Sequence, residues 1–132
     1  MGLAIIDIDG VLADVRHRLR HVERLPKDWD AFFAAAPQDS PLAEGLQRAV
    51  DLAGRGDVVY LTGRPERCRH DTETWLADNG FPHATVIMRP DHERRPARYF
   101  KLAEVRRLAR SADIDVVVDD DRLVVDALTA AG

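Results

Sequence analysis

Four short apolar segments, rich in β-branched residues, alternate along the chain with segments that place apolar residues at helical spacing. The apolar segments are nearly uniform in hydrophobicity, which is typical of strands covered on both faces of a parallel sheet. These predicted strands cover residues 3–8, 57–61, 84–88 and 114–118. The alternation of strands and helices predicts an α/β fold with a doubly wound parallel sheet of four or five strands.

The first long helical segment begins with a typical start signal. Ser40 is followed by Pro41, which is the order of an N-cap residue and a first helical residue. Apolar residues then trace one face of this segment as far as Gly54, where the helix is expected to end. The predicted helices cover residues 40–54, 65–80, 100–112 and 122–131.

The connection between the first two predicted strands is too long for a single crossover helix. Such a crossover needs only about a dozen residues or somewhat more, whereas nearly fifty residues separate these strands. We therefore predict a small insertion at about residues 13–39, above the carboxyl edge of the sheet, with one short amphipathic helix that carries Trp29, Phe32 and Phe33. These aromatic residues either pack the insertion against the core or stack on a base of a ligand.

Length and composition limit the classes of protein to which the chain could belong. A chain of 132 residues, of which 45% are hydrophobic and 32% charged, predicts one folded domain over residues 1–132. A net charge of −4 argues against a surface that coats nucleic acid by charge alone. No apolar run reaches the ~18 residues of a membrane span. The absence of a secretory signal pattern and the single cysteine, Cys68, predict a cytoplasmic protein.

Two strand ends carry candidate chemistry. Asp7 and Asp9 lie two residues apart at the end of the first strand, so that both carboxylates point to one side and are able to share a divalent cation. The second strand ends in Thr62, Gly63 and Arg64, and a helix that begins at the next residue would complete an anion site. The alternative for this second motif is an ordinary turn that caps a helix.

The last two strands add one cation and a cluster of acids. Lys101 opens the helix after the third strand, and Asp119 and Asp120 follow the fourth strand directly. Adjacent carboxylates repel one another unless a cation or a lysine neutralises them. This requirement links the acids to a metal ion and to Lys101, although an ordinary solvated lysine is the alternative.

In this order, the four motifs resemble those of the haloacid dehalogenase (HAD) superfamily, which implies a Rossmann-like fold over essentially the whole chain. The closest resemblance is to the phosphatase domain of the polynucleotide kinase-phosphatases. In that group an arginine follows the first aspartate by eleven residues, as Arg18 does here, and the second motif also reads Gly-Arg. The chain departs from the group at Ala97, where the relatives have an acidic residue.

The resemblance implies a mechanism and a cofactor. Asp7 would be the nucleophile that forms an aspartyl-phosphate, and Asp9 would be the general acid and base, which requires a pKa above that of an isolated aspartate. Mg²⁺ would be held by Asp7, the main-chain carbonyl of Asp9 and Asp120. Asp119 is expected between Lys101 and the metal shell, although the two last acids could exchange roles.

The resemblance also implies a substrate class. Thr62, Gly63 and Arg64 would bind the transferring phosphate, and Arg18 would contact the substrate. The substrate would be a 3′-phosphate on a nucleic-acid end or a nucleotide. A phosphatase for sugar phosphates or nucleoside monophosphates is the alternative enzyme, and a phosphate-binding module without activity is the alternative outside catalysis. No membrane and no partner protein is indicated. Apart from the resemblance, four further arginines could line a rim of the site, although an ordinary solvated surface position is the favoured interpretation for each of them: Arg89, Arg94, Arg95 and Arg98.

Overall fold

The computed structural model describes residues 2–121 and 125, so the helix predicted at 122–131 lies outside the described residues apart from Val125. The described strands are β1 (Leu3–Ile6), β2 (Ala13–Asp14), β3 (Ser40–Pro41), β4 (Asp57–Pro65), β5 (Thr85–Arg89) and β6 (Ile114–Val118). The described α-helices are α1 (Arg20–Glu23), α2 (Trp29–Ala34), α3 (Ala43–Ala53), α4 (Arg69–Asp78) and α5 (Ala97–Ala109).

Four parallel strands form the central sheet in the order β5-β4-β1-β6. β1 therefore lies between β4 and β6, and the carboxyl ends of all four strands meet at one edge. Ligands bind outside this edge in open α/β sheets. The predicted α/β class and the parallel four-stranded sheet are confirmed.

Apolar side chains project from both faces of the sheet, as the uniform strand pattern predicts. On β1, Ile6 joins the cluster that packs under α3 and α4, whereas Ile5 joins the cluster that packs under α5. On β4, Tyr60 and Leu61 divide between the same two clusters. Helices therefore cover both faces, and the sheet is doubly wound.

Two predicted helix starts are wrong. Ser40 and Pro41 do not begin a helix, because they pair with Ala13 and Asp14 as an antiparallel two-stranded sheet, and α3 begins after Leu42 without a side-chain cap. β4 continues through Pro65, so that α4 begins only at Arg69, after a single 3₁₀ turn.

Short elements occupy the stretch between β1 and α3. These are β2, a 3₁₀ turn, α1, α2, a second 3₁₀ turn and β3. The amphipathic helix predicted here is present as α2, and Asp28 caps it by accepting a hydrogen bond from the Ala31 amide over 3.0 Å. The division into one domain with an insertion stays a prediction. Within the described part of the chain, no helix has the length and apolar character needed to cross a bilayer.

Candidate active site

Asp7 follows β1 directly and is held by main-chain contacts on both sides. Its amide donates a hydrogen bond to the Val118 carbonyl at the end of β6 over 2.9 Å. The chain then turns sharply, since the Leu12 and Ala13 amides both donate to the Ile8 carbonyl. The carboxylate of Asp7 is thus fixed at the centre of the carboxyl edge, where it is only 6% exposed.

Lys101 forms ion pairs with two of the predicted acids. Its Nζ lies 3.1 Å from Oδ1 of Asp7 and 2.7 Å from Oδ2 of Asp119. Burial opposes the charge of this ammonium group, but the two carboxylates raise the pKa of Lys101 above its ordinary value. The lysine is therefore a fixed cation of the site and not a solvated surface residue. It lies in the second turn of α5, because that helix begins three residues earlier than predicted.

Asp7, Asp119 and Asp120 form the acidic cluster predicted at this edge. One carboxylate oxygen from each lies within 4.8 Å of the others. Burial, together with Asp119 and Asp9, raises the pKa of Asp7 well above its ordinary value despite Lys101, and burial and Asp119 raise the pKa of Asp120. Three carboxylates against one ammonium leave uncompensated negative charge, and their hard oxygens are the donors that Mg²⁺ prefers. The residues present therefore fit a divalent cation.

The two last acids have different surroundings. Asp119 is engaged through both oxygens, because Oδ2 contacts Lys101 and Oδ1 accepts a hydrogen bond from the Asp121 amide over 2.9 Å. Asp120 lies against Gly10, whose φ of +80° and missing side chain leave room for this carboxylate. Asp120 also lines the open cleft of the site. Its carboxylate is therefore the more accessible of the two to a metal ion.

Asp9 faces two buried arginines. Its Oδ1 accepts hydrogen bonds from Nη2 of Arg18 over 2.9 Å and from Nη2 of Arg64 over 2.7 Å. Burial favours the neutral acid, but the guanidinium groups of Arg64 and Arg18 outweigh it and lower the pKa of Asp9. The raised pKa expected for this residue is therefore wrong for the protein without substrate, and the reason is this pair of cations.

Arg18 and Arg64 lie behind Asp9 and do not line the cleft. Both are almost completely buried, at 0% and 1% exposure. Asp39 holds them from the other side, since its Oδ2 lies 2.8 Å from Nη2 of Arg18 and 3.3 Å from Nη2 of Arg64. Asp39 was not predicted. It stands in a polar stretch of the sequence, where nothing separates it from a solvated acid.

Thr62 and Gly63 both line the cleft. The Thr62 hydroxyl accepts a hydrogen bond from the Arg64 amide over 3.1 Å, which leaves its own proton for a ligand. These residues belong to β4, and α4 begins only at Arg69, so the helix start predicted at Pro65 for this anion site is wrong. Ala97 lies beside Gly63 in the cleft wall, at the position where the acidic residue of the relatives was expected.

The cleft has a volume of about 800 Å³ and extends from the acids to the rim of the insertion. Phe32 is buried and packs its ring against the Arg18 guanidinium at 4.3 Å, as the packing interpretation predicts. Phe32 also lines the cleft, together with Trp29 and Phe33. Of the four arginines considered for the rim, Arg89, Arg94 and Arg95 line the cleft and Arg98 does not.

The chain matches one family model. A family model described as the polynucleotide kinase PNKP phosphatase domain matches residues 2–132. A search of curated proteins finds no match.

Solved structures show the same fold. A chain in the structure of the Pnkp1/Rnl/Hen1 RNA repair complex superposes with a TM-score of 0.72 at 22% identity and covers 96% of this chain. The class C acid phosphatase from Bacillus anthracis with tungstate bound superposes with a TM-score of 0.72 at 17% identity and covers 99% of this chain. The chain spans 39% of the length of the first relative and 60% of the second.

Proposed function

The chain belongs to the family of polynucleotide kinase PNKP phosphatase domains, and from this premise we propose that it hydrolyses 3′-phosphates of nucleic-acid ends or nucleotides through an aspartyl-phosphate on Asp7. Membership makes it a phosphatase domain of the HAD type. The observation that carries the proposal is the meeting of Asp7 with Lys101, Asp119 and Asp120 at one strand edge. A buried carboxylate supported by cations suits attack on an anionic ester.

In the first step, a carboxylate oxygen of Asp7 attacks phosphorus and the ester P–O bond breaks. The leaving alkoxide takes a proton from Asp9, which restores the hydroxyl of the product. In the second step, Asp9 removes a proton from water as the water oxygen attacks phosphorus, and the bond between phosphorus and Asp7 breaks. Thr62, the Gly63 amide and Lys101 spread the charge of the transferring oxygens.

Asp9 needs a proton before the first step, although its two arginines favour the ionised form. A dianionic phosphate bound next to Asp9 supplies negative charge that raises the pKa of this carboxyl. Substrate and proton are therefore taken up together. Arg18 and Arg64, which line the back of Asp9, orient its carboxylate and do not contact the ester in this proposal.

Mg²⁺ is the proposed cofactor, with the side chains of Asp7 and Asp120 and the main-chain carbonyl of Asp9 as ligands. Asp119 would hold Lys101 beside this shell. When bound, the ion reduces the repulsion between the Asp7 carboxylate and the anionic ester. The acidic cluster and its hard oxygen donors support this assignment.

Nucleic-acid ends are the proposed substrates for two reasons. The related Pnkp1 chain is part of an RNA repair complex. The cleft is also wide enough for a nucleotide and lined by arginines, which suit phosphate groups.

Location in the cytoplasm stays a prediction that rests on cysteine usage.

Asp7→Asn tests the nucleophile. The amide lacks the charge needed to attack phosphorus, so we expect kcat on a 3′-phosphorylated oligonucleotide to fall by at least about 10⁴-fold. Asp51→Asn on the exposed side of α3 is the matched control and should keep full activity. Turnover by Asp7→Asn near that of the control would contradict the proposal. A higher kcat/KM on sugar phosphates than on 3′-phosphorylated oligonucleotides would overturn the substrate class.

Thermal unfolding with and without Mg²⁺ tests the metal site. An ion at 100 times its Kd stabilises a folded protein by about 2.7 kcal/mol, and we expect a corresponding rise in Tm for the native chain. Asp120→Asn should lose most of this rise because it removes one ligand, whereas Asp51→Asn should keep it. An equal rise in both variants would show that the ion binds elsewhere.

A further inference from the structure

Arg89 has no part in the proposed mechanism, although its side chain lines the same cleft as Asp7 and Lys101. It is the last residue of β5, the edge strand next to β4, so its main chain is fixed by the sheet. The pairing of Pro65 with Arg89 places it beside the end of the strand that carries Thr62. Arg89 therefore lies at the carboxyl edge of the sheet, in the wall of the cleft that contains Asp7 and Lys101.

The guanidinium of Arg89 is anchored but forms no ion pair within the described part of the chain. The Glu93 carboxylate is nevertheless close enough for Arg89 to contribute to the lowered pKa of Glu93. Nη2 donates a hydrogen bond to the Arg95 carbonyl over 2.5 Å. Within residues 2–121 and 125, Nε is buried without an acceptor, and no carboxylate oxygen lies within the 4.0 Å of an ion pair. A buried donor without a partner is costly. A phosphate oxygen that reached this group would satisfy both the donor and the charge.

Two other arginines of the cleft form ion pairs. Arg67 lies within ion-pair distance of Asp30 and Asp91, at 3.2 and 3.7 Å. Arg95 pairs with Glu93 at 3.1 Å. Arg89 differs from them because it combines a fixed main chain with a buried Nε donor that has no acceptor among the described residues, a combination that suits the binding of an anion.

Trp29 and Phe33 form an aromatic wall of the same cleft. Trp29 is 48% exposed, and its ring is stacked with that of Phe33 at 5.9 Å with an interplanar angle of 25°. The Lys27 ammonium lies over the indole, 5.6 Å from the ring centroid. Arg67 connects this wall to the loop after β5, because it lies over the Phe33 ring and its amide donates to Asp91. The exposed indole and the Arg89 guanidinium therefore border one opening.

We propose that Arg89 and Trp29 form a second subsite, which binds the phosphodiester and the base of the nucleotide that precedes the reacting 3′ end. The guanidinium contacts the phosphodiester, and the indole stacks on the base. This inference rests on the proposed function and extends it from a phosphomonoester to a polymer end. The domain then prefers an oligonucleotide to a mononucleotide because only the oligonucleotide fills both subsites.

A comparison of two substrates tests the subsite. We expect kcat/KM of the native chain to be about a hundredfold higher for a dinucleotide 3′-phosphate than for a nucleoside 3′-monophosphate, because one phosphate contact and one stacked base each contribute about tenfold. Arg89→Gln and Trp29→Ala should each reduce this preference by about tenfold and leave the mononucleotide rate within about twofold. The control is Arg98→Gln, whose side chain contacts Tyr99 and does not line the cleft.

Two outcomes would overturn the subsite while the proposed function stands. In one, Arg89→Gln lowers the rates on both substrates equally, which assigns the arginine to the reacting phosphate or to folding. In the other, it changes neither rate. Failure of the native chain to hydrolyse either substrate would instead count against the proposed function.

A binding measurement tests the subsite separately from the proposed function, even when no substrate is hydrolysed. Anisotropy of a labelled 3′-phosphorylated oligonucleotide on Asp7→Asn, at several salt concentrations, reports phosphate contacts directly. The slope of log K against log salt changes by about 0.7 for each contact with a single strand. Adding Arg89→Gln should reduce the slope by this amount, and adding Arg98→Gln should leave it unchanged. An unchanged slope in Arg89→Gln would overturn the subsite.

Discussion

Asp39 balances two guanidinium groups that solvent does not reach. Its side chain is completely buried between Arg18 and Arg64, and the half-exposed His17 ring lies 2.6 Å from its Oδ1. The indole of Trp75 donates to its main-chain carbonyl over 2.8 Å, which fixes the residue to α4. Removing one member of a buried ionic network leaves the others uncompensated. The network behind Asp9 is therefore sensitive to a single substitution.

Asp39→Ala should reduce the free energy of unfolding by about 3–5 kcal/mol, because two buried cations then share only Asp9. Asp14→Ala is the matched control, since it removes an exposed ion pair with Arg16, and such pairs contribute little to stability. Urea unfolding of both variants measures the difference. Equal losses in the two variants would contradict the assigned network.

Asp39 also shows why part of the site could not be predicted. Asp7, Asp9 and Asp119 directly follow apolar strand segments of the sequence. A carboxylate is easy to recognise there, and the end of the strand fixes its position at the carboxyl edge of the sheet. Asp39 reaches the site only because β3 pairs with β2 and brings it next to Arg18. A contact between side chains of separate segments leaves no local signal in the sequence.

At the level of secondary structure, the turn between β1 and β2 depends on a single glycine, Gly10. Gly10 has a φ of +80°, and a Cβ there would overlap the Asp120 carboxylate. Its amide donates to the Ala13 carbonyl over 2.9 Å, which closes the turn. Turn closure and the position of a proposed metal ligand are thus coupled at this residue.

Gly10→Ala should destabilise the fold by at least about 1–2 kcal/mol, the cost of a left-handed backbone in a residue with a side chain. It should also weaken Mg²⁺ binding, because the new methyl group displaces Asp120. Gly54→Ala is the control, since Gly54 ends α3 with a φ of −74°, and a Cβ added there makes only ordinary van der Waals contacts. Unfolding and Mg²⁺ titration of both variants test this. A loss of similar size in Gly54→Ala would refute the explanation.

The strands were easier to predict than the helix boundaries. Uniform apolar runs mark a strand buried on both faces, and β6 has the predicted limits of residues 114–118. The start signal at Ser40 failed because pairing with Asp14 satisfies the main chain in an extended conformation. Tertiary pairing overrides such local preferences.

The free energy of unfolding of the whole molecule should fall at alkaline pH because of Tyr60. Its hydroxyl donates to the Pro82 carbonyl over 2.7 Å, and burial raises its pKa to about 12. The unfolded chain ionises near pH 10, so the folded state loses about 1.4 kcal/mol per pH unit between about pH 10 and 12. Tyr60→Phe starts lower, because it loses a hydrogen bond, but should lack this part of the decline. Urea unfolding at pH 9 and 11 tests the difference, and parallel declines would contradict it.

The parallel sheet and the segments above it divide their tasks. Neighbouring strand ends hold the groups proposed to react, whereas the stretch between β1 and α3 and the loop after β5 border the cleft. Exchanging these border segments between relatives would redirect the enzyme to other phosphate esters without disturbing its chemistry. Evolution and protein engineering could therefore change the substrate of such a phosphatase by changing the segments that border its cleft.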